Sequence, residues 1–150
     1  MLCPTCTYNR NSYFMNMKYD AHQCIAARLR GLSRIADGVY RRHMAGSGTT
    51  EQQLNILLVL YQEGEVPQKR VSEVLLLERS SLTRNLVRLV EQGWIEKKGA
   101  VNRPKISLTP KGKKATKKLL PRWEAAMDEV STVLGGEGML YLNMVEKKMR

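Results

Sequence analysis

The chain has 150 residues, with 25 Lys and Arg against 14 Asp and Glu, for a formal net charge of +11. At 43% hydrophobic and 26% charged residues, it has the balance of a soluble globular domain, large enough to bury a core without disulfides or a structural metal. Its longest apolar run, Ile56 to Tyr61, is six residues, against the roughly 18 that a membrane span needs. The first 18 residues show no charged-then-apolar leader pattern, so the expectation is a cytoplasmic protein with no membrane partner.

The positive charge is concentrated. Residues 1–67 carry a net of +2, residues 68–118 a net of +10, and residues 119–150 a net of −1. A generally basic protein spreads its charge, whereas a nucleic-acid-binding unit gathers it in one place.

Taken in chain order, residues 1–18 show no apolar period and read as a flexible tail. Met15 and Met17 are alternative starts, which leaves residues 1–14 open as part of the natural chain. From Asp20 to about Met44 the spacing of Ile25, Leu29, Leu32, Ile35, Ala36, Val39 and Tyr40 predicts a helix with one apolar stripe. The cluster Ala45-Gly46-Ser47-Gly48 ends it. Thr50 with Gln53 forms a capping-box pattern before a second helix. That helix carries Leu54, Leu57, Leu58 and Tyr61 on one side, and Gly64 stops it. Pro67 suits the first position of a short helix through Val71, Val74 and Leu75. After Leu76–Arg79, Ser80 or Ser81 is expected to cap a helix whose apolar face is Leu82, Leu86, Leu89 and Val90, and which Gly93 ends.

The period then changes. Trp94–Lys98 and Lys105–Thr109 read as two strands of a hairpin wing. Thr109-Pro110 starts a helix as cap and first residue. It runs past a bend at Pro121 through Trp123, Met127, Val130 and Leu134, and Gly135-Gly136 breaks it. A last helix from Gly138 carries Leu140, Leu142, Met144, Val145 and Met149, apolar enough to require a packing partner. The fold class expected is mainly α: a winged helix-turn-helix with a two-stranded β wing and further helices at both ends.

A helix in a major groove reads base edges with residues near its N-terminus. Ser80, Ser81, Thr83, Arg84, Asn85 and Arg88 lie off the leucine face and are the candidate readers, with Arg84 suited to guanine and Asn85 to adenine. On the wing, Asn102, Arg103 and Lys105 are candidates for minor-groove or backbone contact. Lys69, Arg70, Lys111 and Lys113 are candidate phosphate contacts. The partner these features point to is double-stranded DNA.

Cys3, Cys6, His22 and Cys24 number enough for a zinc site, but His22 and Cys24 stand two apart and cannot share a helix face. No metal and no cofactor is expected. Cys24 stays open between a small apolar residue and a thiol sensor activated by Arg28 or His22. Tyr40, Tyr61, Met44, Met127, Met139 and Met144 are open between core packing and a ligand pocket. There is no Gly-rich phosphate loop, no Ser-x-x-Lys pair and no His-Glu-x-x-His, and with two histidines, His22 and His43, no enzymatic activity is expected.

The stretch Thr50 to Leu120 resembles the multiple-antibiotic-resistance regulator (MarR) family of winged-helix proteins. The matching residues are Thr50-x-x-Gln53, Val71-Ser72-Glu73-Val74-Leu75, Ser80-Ser81-Leu82-Thr83-Arg84-Asn85-Leu86, Leu89-Val90-Glu91-Gln92-Gly93-Trp94-Ile95 and Leu108-Thr109-Pro110-Lys111-Gly112. With the flanking Leu29-Arg30 to Tyr40 and Leu120-Pro121-Arg122-Trp123, the likeness spans about residues 20–150. The wing departs from the family pattern: its usual Asp and Arg positions hold Ala100 and Asn102, and Arg103 is displaced by one. In some relatives the first helix carries a reactive cysteine, and that position is Ala26 here.

The resemblance implies a homodimer that binds a palindromic operator, usually as a repressor, and is released by a small-molecule effector or by thiol oxidation. It divides the chain into a tail (1–18), an N-terminal dimerisation helix (19–48), a DNA-binding winged helix (49–110) and C-terminal dimerisation helices (111–150). The alternative is a winged-helix module for protein or nucleic-acid binding without a sensing role.

Overall fold

The computed structural model describes residues 24–100 and 104–149. In chain order the elements are α1 (Ile25–His43), α2 (Glu51–Glu63), β1 (Val66–Pro67), α3 (Gln68–Leu75), α4 (Arg79–Glu91), β2 (Ile95–Lys98), β3 (Lys105–Leu108) and α5 (Pro110–Met149). Two compact units are distinguished, one ending at Arg34 and one running from Ile35 onward, and α1 belongs to both. Among the described residues no helix is long and apolar enough to cross a membrane.

The second unit is built around α2. Its start is the capping box expected from the sequence: Thr50 Oγ1 accepts from Gln53 N at 3.3 Å, and Gln53 Oε1 accepts from Thr50 N at 3.1 Å. Gly64 ends it with a positive φ of 77°. The one-sided apolar face is too narrow a reading. Ile56, Val59 and Leu60 are buried as well as Leu54, Leu57 and Leu58, while Tyr61 is exposed. A helix that is apolar almost all round is a central helix. Val71 of α3, Leu82, Leu86 and Leu89 of α4, Ile106 of β3 and Leu119 of α5 close the core with it.

Val66 and Pro67 correct the sequence expectation. Pro67 does not occupy the first turn of α3; with φ −59° and ψ 141° it is extended and precedes the helix. The pair forms β1, antiparallel to β3, with Val66 opposite Ile106 and Pro67 opposite Lys105. The wing hairpin β2–β3 thus belongs to a three-stranded sheet of order β1-β3-β2. Proline is tolerated because β1 is an edge strand.

The start of α4 differs too. Its N-cap is Glu78, without a side-chain cap bond, and Arg79 is the first helical residue. Ser80 and Ser81 therefore sit inside the first turn. The end of α4 follows the sequence: Gly93 N bonds Val90 O at 2.8 Å and Trp94 N bonds Leu89 O at 2.9 Å, a Schellman closure that needs the positive φ of Gly93, 68°.

The junction of α4, the sheet and α5 is tight. Thr109 Oγ1 accepts from Gly112 N at 3.0 Å, capping α5, and donates to Gly93 O at 2.7 Å. Lys111 Nζ donates to Gln92 O at 2.8 Å, satisfying a carbonyl at the end of α4. A Cβ on Gly112 would lie 1.9 Å from Trp94 O, so only glycine lets α5 approach the start of β2 this closely. α5 continues through Pro121, and its one non-helical residue is Gly135 (φ 65°, ψ 176°). The break is where the Gly-Gly pair placed it, whereas residues 136–149 are helical from the start rather than from Gly138.

Candidate nucleic-acid interface

α4 buries Leu82, Leu86 and Leu89, which fixes the opposite face toward solvent. Ser80, Thr83, Arg84 and Arg88 are exposed there, and Ser81 is half-buried. Thr83 Oγ1 returns to Arg79 O at 2.8 Å. The Arg84 Nε contact to Ser80 O, at 3.4 Å, is long and leaves the guanidinium fork free to turn outward. Arg79, which the sequence reading passed over, is exposed at the first turn. Among the described residues neither Arg79 nor Arg88 forms an ion pair.

Two positions depart from the expected faces. Val90 is exposed rather than part of the apolar face. Asn85 is turned inward: it is 9% exposed, and its Nδ2 donates to Gln52 Oε1 at 3.1 Å and Ser81 O at 3.0 Å. The amide that would pair with adenine is here a strut between α2 and α4. Gln52 was missed because its partner lies 33 residues away, beyond any local pattern.

The candidate phosphate contacts divide. Arg70 is held by Glu63 in a two-bond fork at 3.0 Å, which lowers the Glu63 carboxyl below its ordinary range and raises the guanidinium. Lys69 meets Glu73 at 3.3 Å, and Lys105 meets Glu65 at the same distance. Lys111 is committed to Gln92 O. The three ion pairs are solvent-exposed and weakly held, so a phosphate can displace the carboxylate. Lys113 and Lys97 are exposed and form no ion pair among the described residues. On the wing, Glu96 accepts from Lys98 at 2.8 Å, which holds the Glu96 carboxyl low. Asn102 and Arg103 lie outside the described residues, as do Cys3, Cys6 and His22. Cys24 is an exposed free thiol just before α1.

The second unit also holds a cavity of about 660 Å³, lined by α1 from Asp37 to Met44, the following turn, the start of α2, and Asn85 and Arg88 of α4. Of the candidate pocket residues only Met44 lines it. Tyr40 instead bonds its hydroxyl to the sulfur of Met127, and burial followed by the charge of Glu51 raises its pKa. On the other side of α1, Arg42 and His43 both meet Glu129, and Arg122 donates to Ala45 O at 2.7 Å. Together these tie the end of α1 to α5.

Comparison with known proteins agrees with the winged-helix fold. Residues 47–102 match the MarR family. Comparison with curated proteins finds no match. Among solved structures, the chain resembles BpsR of Bordetella bronchiseptica, whose DNA binding is regulated by 6-hydroxynicotinic acid; the TM-score is 0.78 at 16% identity, over 89% of this chain and 98% of that one. The PcaV transcriptional regulator of Streptomyces coelicolor, in complex with its natural ligand, gives 0.75 at 20% identity, over 89% and 96%. A mutant MarR of E. coli, complexed with operator DNA, gives 0.71 at 20% identity, over 83% and 91%.

Proposed function

Proceeding from a chain whose residues 47–102 match the MarR family on a winged-helix fold, we propose that this protein is a DNA-binding transcriptional regulator. It acts as a homodimeric repressor on a palindromic operator, with half-sites roughly 34–36 Å apart. The observation that carries this reading is the outer face of α4. Ser80, Thr83, Arg84 and Arg88 are exposed behind a leucine face that is buried completely, so the helix is rigidly seated and its readers are free. Arg84 and Arg88 are the base readers. Ser81 and Thr83 bond backbone or base edges. Asn85 contributes by fixing the helix on Gln52. Lys105, with Asn102 and Arg103, forms the wing contact; Lys69, Arg70, Lys111 and Lys113 position the duplex.

Dimerisation falls to residues 19–48 and 111–150, and DNA binding to residues 49–110, with 1–18 as a tail. The support is the exposure of Ile25, Leu29, Leu32 and Ile35 on α1 and of Leu140, Leu142, Met144 and Val145 on α5. Apolar rows of this extent are covered by a second copy in a soluble oligomer. Release comes from a small molecule or from oxidation of Cys24; in the structurally similar BpsR, 6-hydroxynicotinic acid regulates DNA binding.

Operator selection on random duplexes followed by fluorescence anisotropy tests the reading. The Arg84→Ala/Arg88→Ala double variant should bind the selected operator about 100-fold more weakly, at about 1–3 kcal/mol for each lost bidentate contact. Undiminished binding by that variant would overturn the assignment and favour a protein-binding role for the winged helix.

A further inference from the structure

Two ion pairs of the winged helix come from one turn. Glu63 is the last residue of α2 and Glu65 precedes β1, with Gly64 between them at a φ of 77°. Glu63 takes Arg70, near the start of α3, in a two-bond fork at 3.0 Å. Glu65 takes Lys105, the first residue of β3, at 3.3 Å. The backbone brings the two targets near each other: Pro67 of β1 pairs with Lys105, and Gln68 N at the start of α3 donates to Pro104 O at 2.9 Å. One turn thus carries a carboxylate to the first helix of the helix-turn-helix and another to the wing.

The place of Glu63 is unfavourable by itself. The last turn of a helix carries partial negative charge, and α2 has no basic residue there; the Arg70 fork offsets this. Lys69–Glu73 and Lys98–Glu96 are different, since each lies within one element. The Glu63 and Glu65 pairs reach across elements, onto two cations proposed to grip the duplex. The charge of Glu65 also reaches Lys98 on the other strand of the wing. A cation that already faces a carboxylate brings little net charge to a phosphate, so it releases few of the counterions condensed on DNA.

We propose that Glu63 and Glu65 are built-in counterions of the DNA-binding face, holding Arg70 and Lys105 in the free protein and opposing every phosphate that approaches them. They weaken the grip on duplex of any sequence and flatten its dependence on salt. Base contacts from α4 are left as they are, so they carry a larger share of the binding energy. A reader of sequence is thereby kept from being held on bulk DNA, where the phosphate term supplies essentially all the affinity. Its use at an operator rests on the proposed regulator reading; the masking itself applies to any polyanion.

The experiment uses the full chain with Glu63→Gln, Glu65→Gln and both together, each amide keeping the shape of the carboxylate. Fluorescence anisotropy on a random-sequence duplex, from about 50 to 200 mM NaCl, gives affinity and salt slope. Heparin chromatography gives polyanion retention with no operator involved. Each single variant should steepen the fall of log K with log[salt] by about 0.9, and the double by about 1.8. Affinity at about 50 mM salt should rise a few-fold per variant, and elution from heparin should come later. The gain from Glu63→Gln should vanish in an Arg70→Gln background, and that from Glu65→Gln in a Lys105→Gln background. Near-UV circular dichroism checks folding, and either single variant with its cycle suffices if the other is not folded. An unchanged slope or unchanged heparin retention in a folded variant would overturn the proposal. So would a gain that survives loss of the paired cation, since it would mean plain repulsion between carboxylate and phosphate. A selected operator with unchanged slopes keeps the regulator and removes the counterions. Later elution of the variants from heparin, with no operator selected by the wild type, keeps the counterions and removes the regulator.

Discussion

α2 and the last arm of α5 are both rich in large apolar residues, yet their fates are opposite. Leu54, Ile56 and Leu57 of α2 are fully buried, whereas Leu140, Tyr141 and Leu142 remain more than half exposed. The difference is one of neighbours, not composition. α2 is enclosed by α3, α4, α5 and the sheet, so the winged helix completes its core within one chain. Among the described residues nothing encloses the arm beyond Gly135 in this way, and it is this arm that the proposed dimer would cover.

That contrast can be broken from either side. The largest effect belongs to the core: Leu57→Ala should lower unfolding free energy by about 2–5 kcal/mol, since the site cannot collapse around the void. Denaturant titration checks this, and a loss under about 1 kcal/mol would mean that α2 is not the centre of the core. Next comes the arm. Leu142→Asp/Val145→Asp should weaken dimerisation about 100-fold or more, at about 1.5–3 kcal/mol of burial lost per side chain, while far-ultraviolet circular dichroism stays near wild type. Sedimentation velocity showing an unchanged dimer would sever the exposed arm from assembly. The smallest effect is at the tie between α1 and α5. The Glu129 carboxyl is held below its ordinary range, by His43 first and then Arg42. A lowered folded pKa gives stability that is present above the ordinary carboxylate range and fades as pH falls through the folded value. Wild type should therefore exceed Glu129→Gln in melting temperature at neutral pH by a small margin. The gap should close as the buffer is taken below the ordinary carboxylate range; a gap that widens on acidification would contradict the pairing.

Local chemistry was legible in the sequence, and non-local pairing was not. The Thr50–Gln53 box, the Gly93 closure and the Thr109-Pro110 start all depend on residues within a few positions of each other, and all three appear as read. β1 was missed because a two-residue strand exists only through its pairing with Lys105 and Ile106, some 40 residues on. The same blindness explains the cations. Nothing in the string shows that Glu63 takes Arg70 or that Glu65 takes Lys105, so the concentrated +10 of residues 68–118 overstates the charge that stands unpaired. Asn85 carried a misleading signal: a polar residue between leucines reads as outward, yet the helix turns it toward Gln52. The cavity residues Asp37, Thr49 and Glu51 left no motif, since a turn brings them together.

The contact at Gly112 has a mechanical consequence. With no room for a methyl group against the Trp94 carbonyl, and with Thr109 and Lys111 bonded to the end of α4, the root of α5 has no play. From Pro110 to the break at Gly135 that helix is a rod of roughly 37 Å, at about 1.5 Å per residue. A rod clamped at one end behaves as a crank: a swing of about 5° moves its far end by about 3 Å. A glycine whose visible duty is close packing thereby makes the end of α4 and the start of α5 one stiff corner.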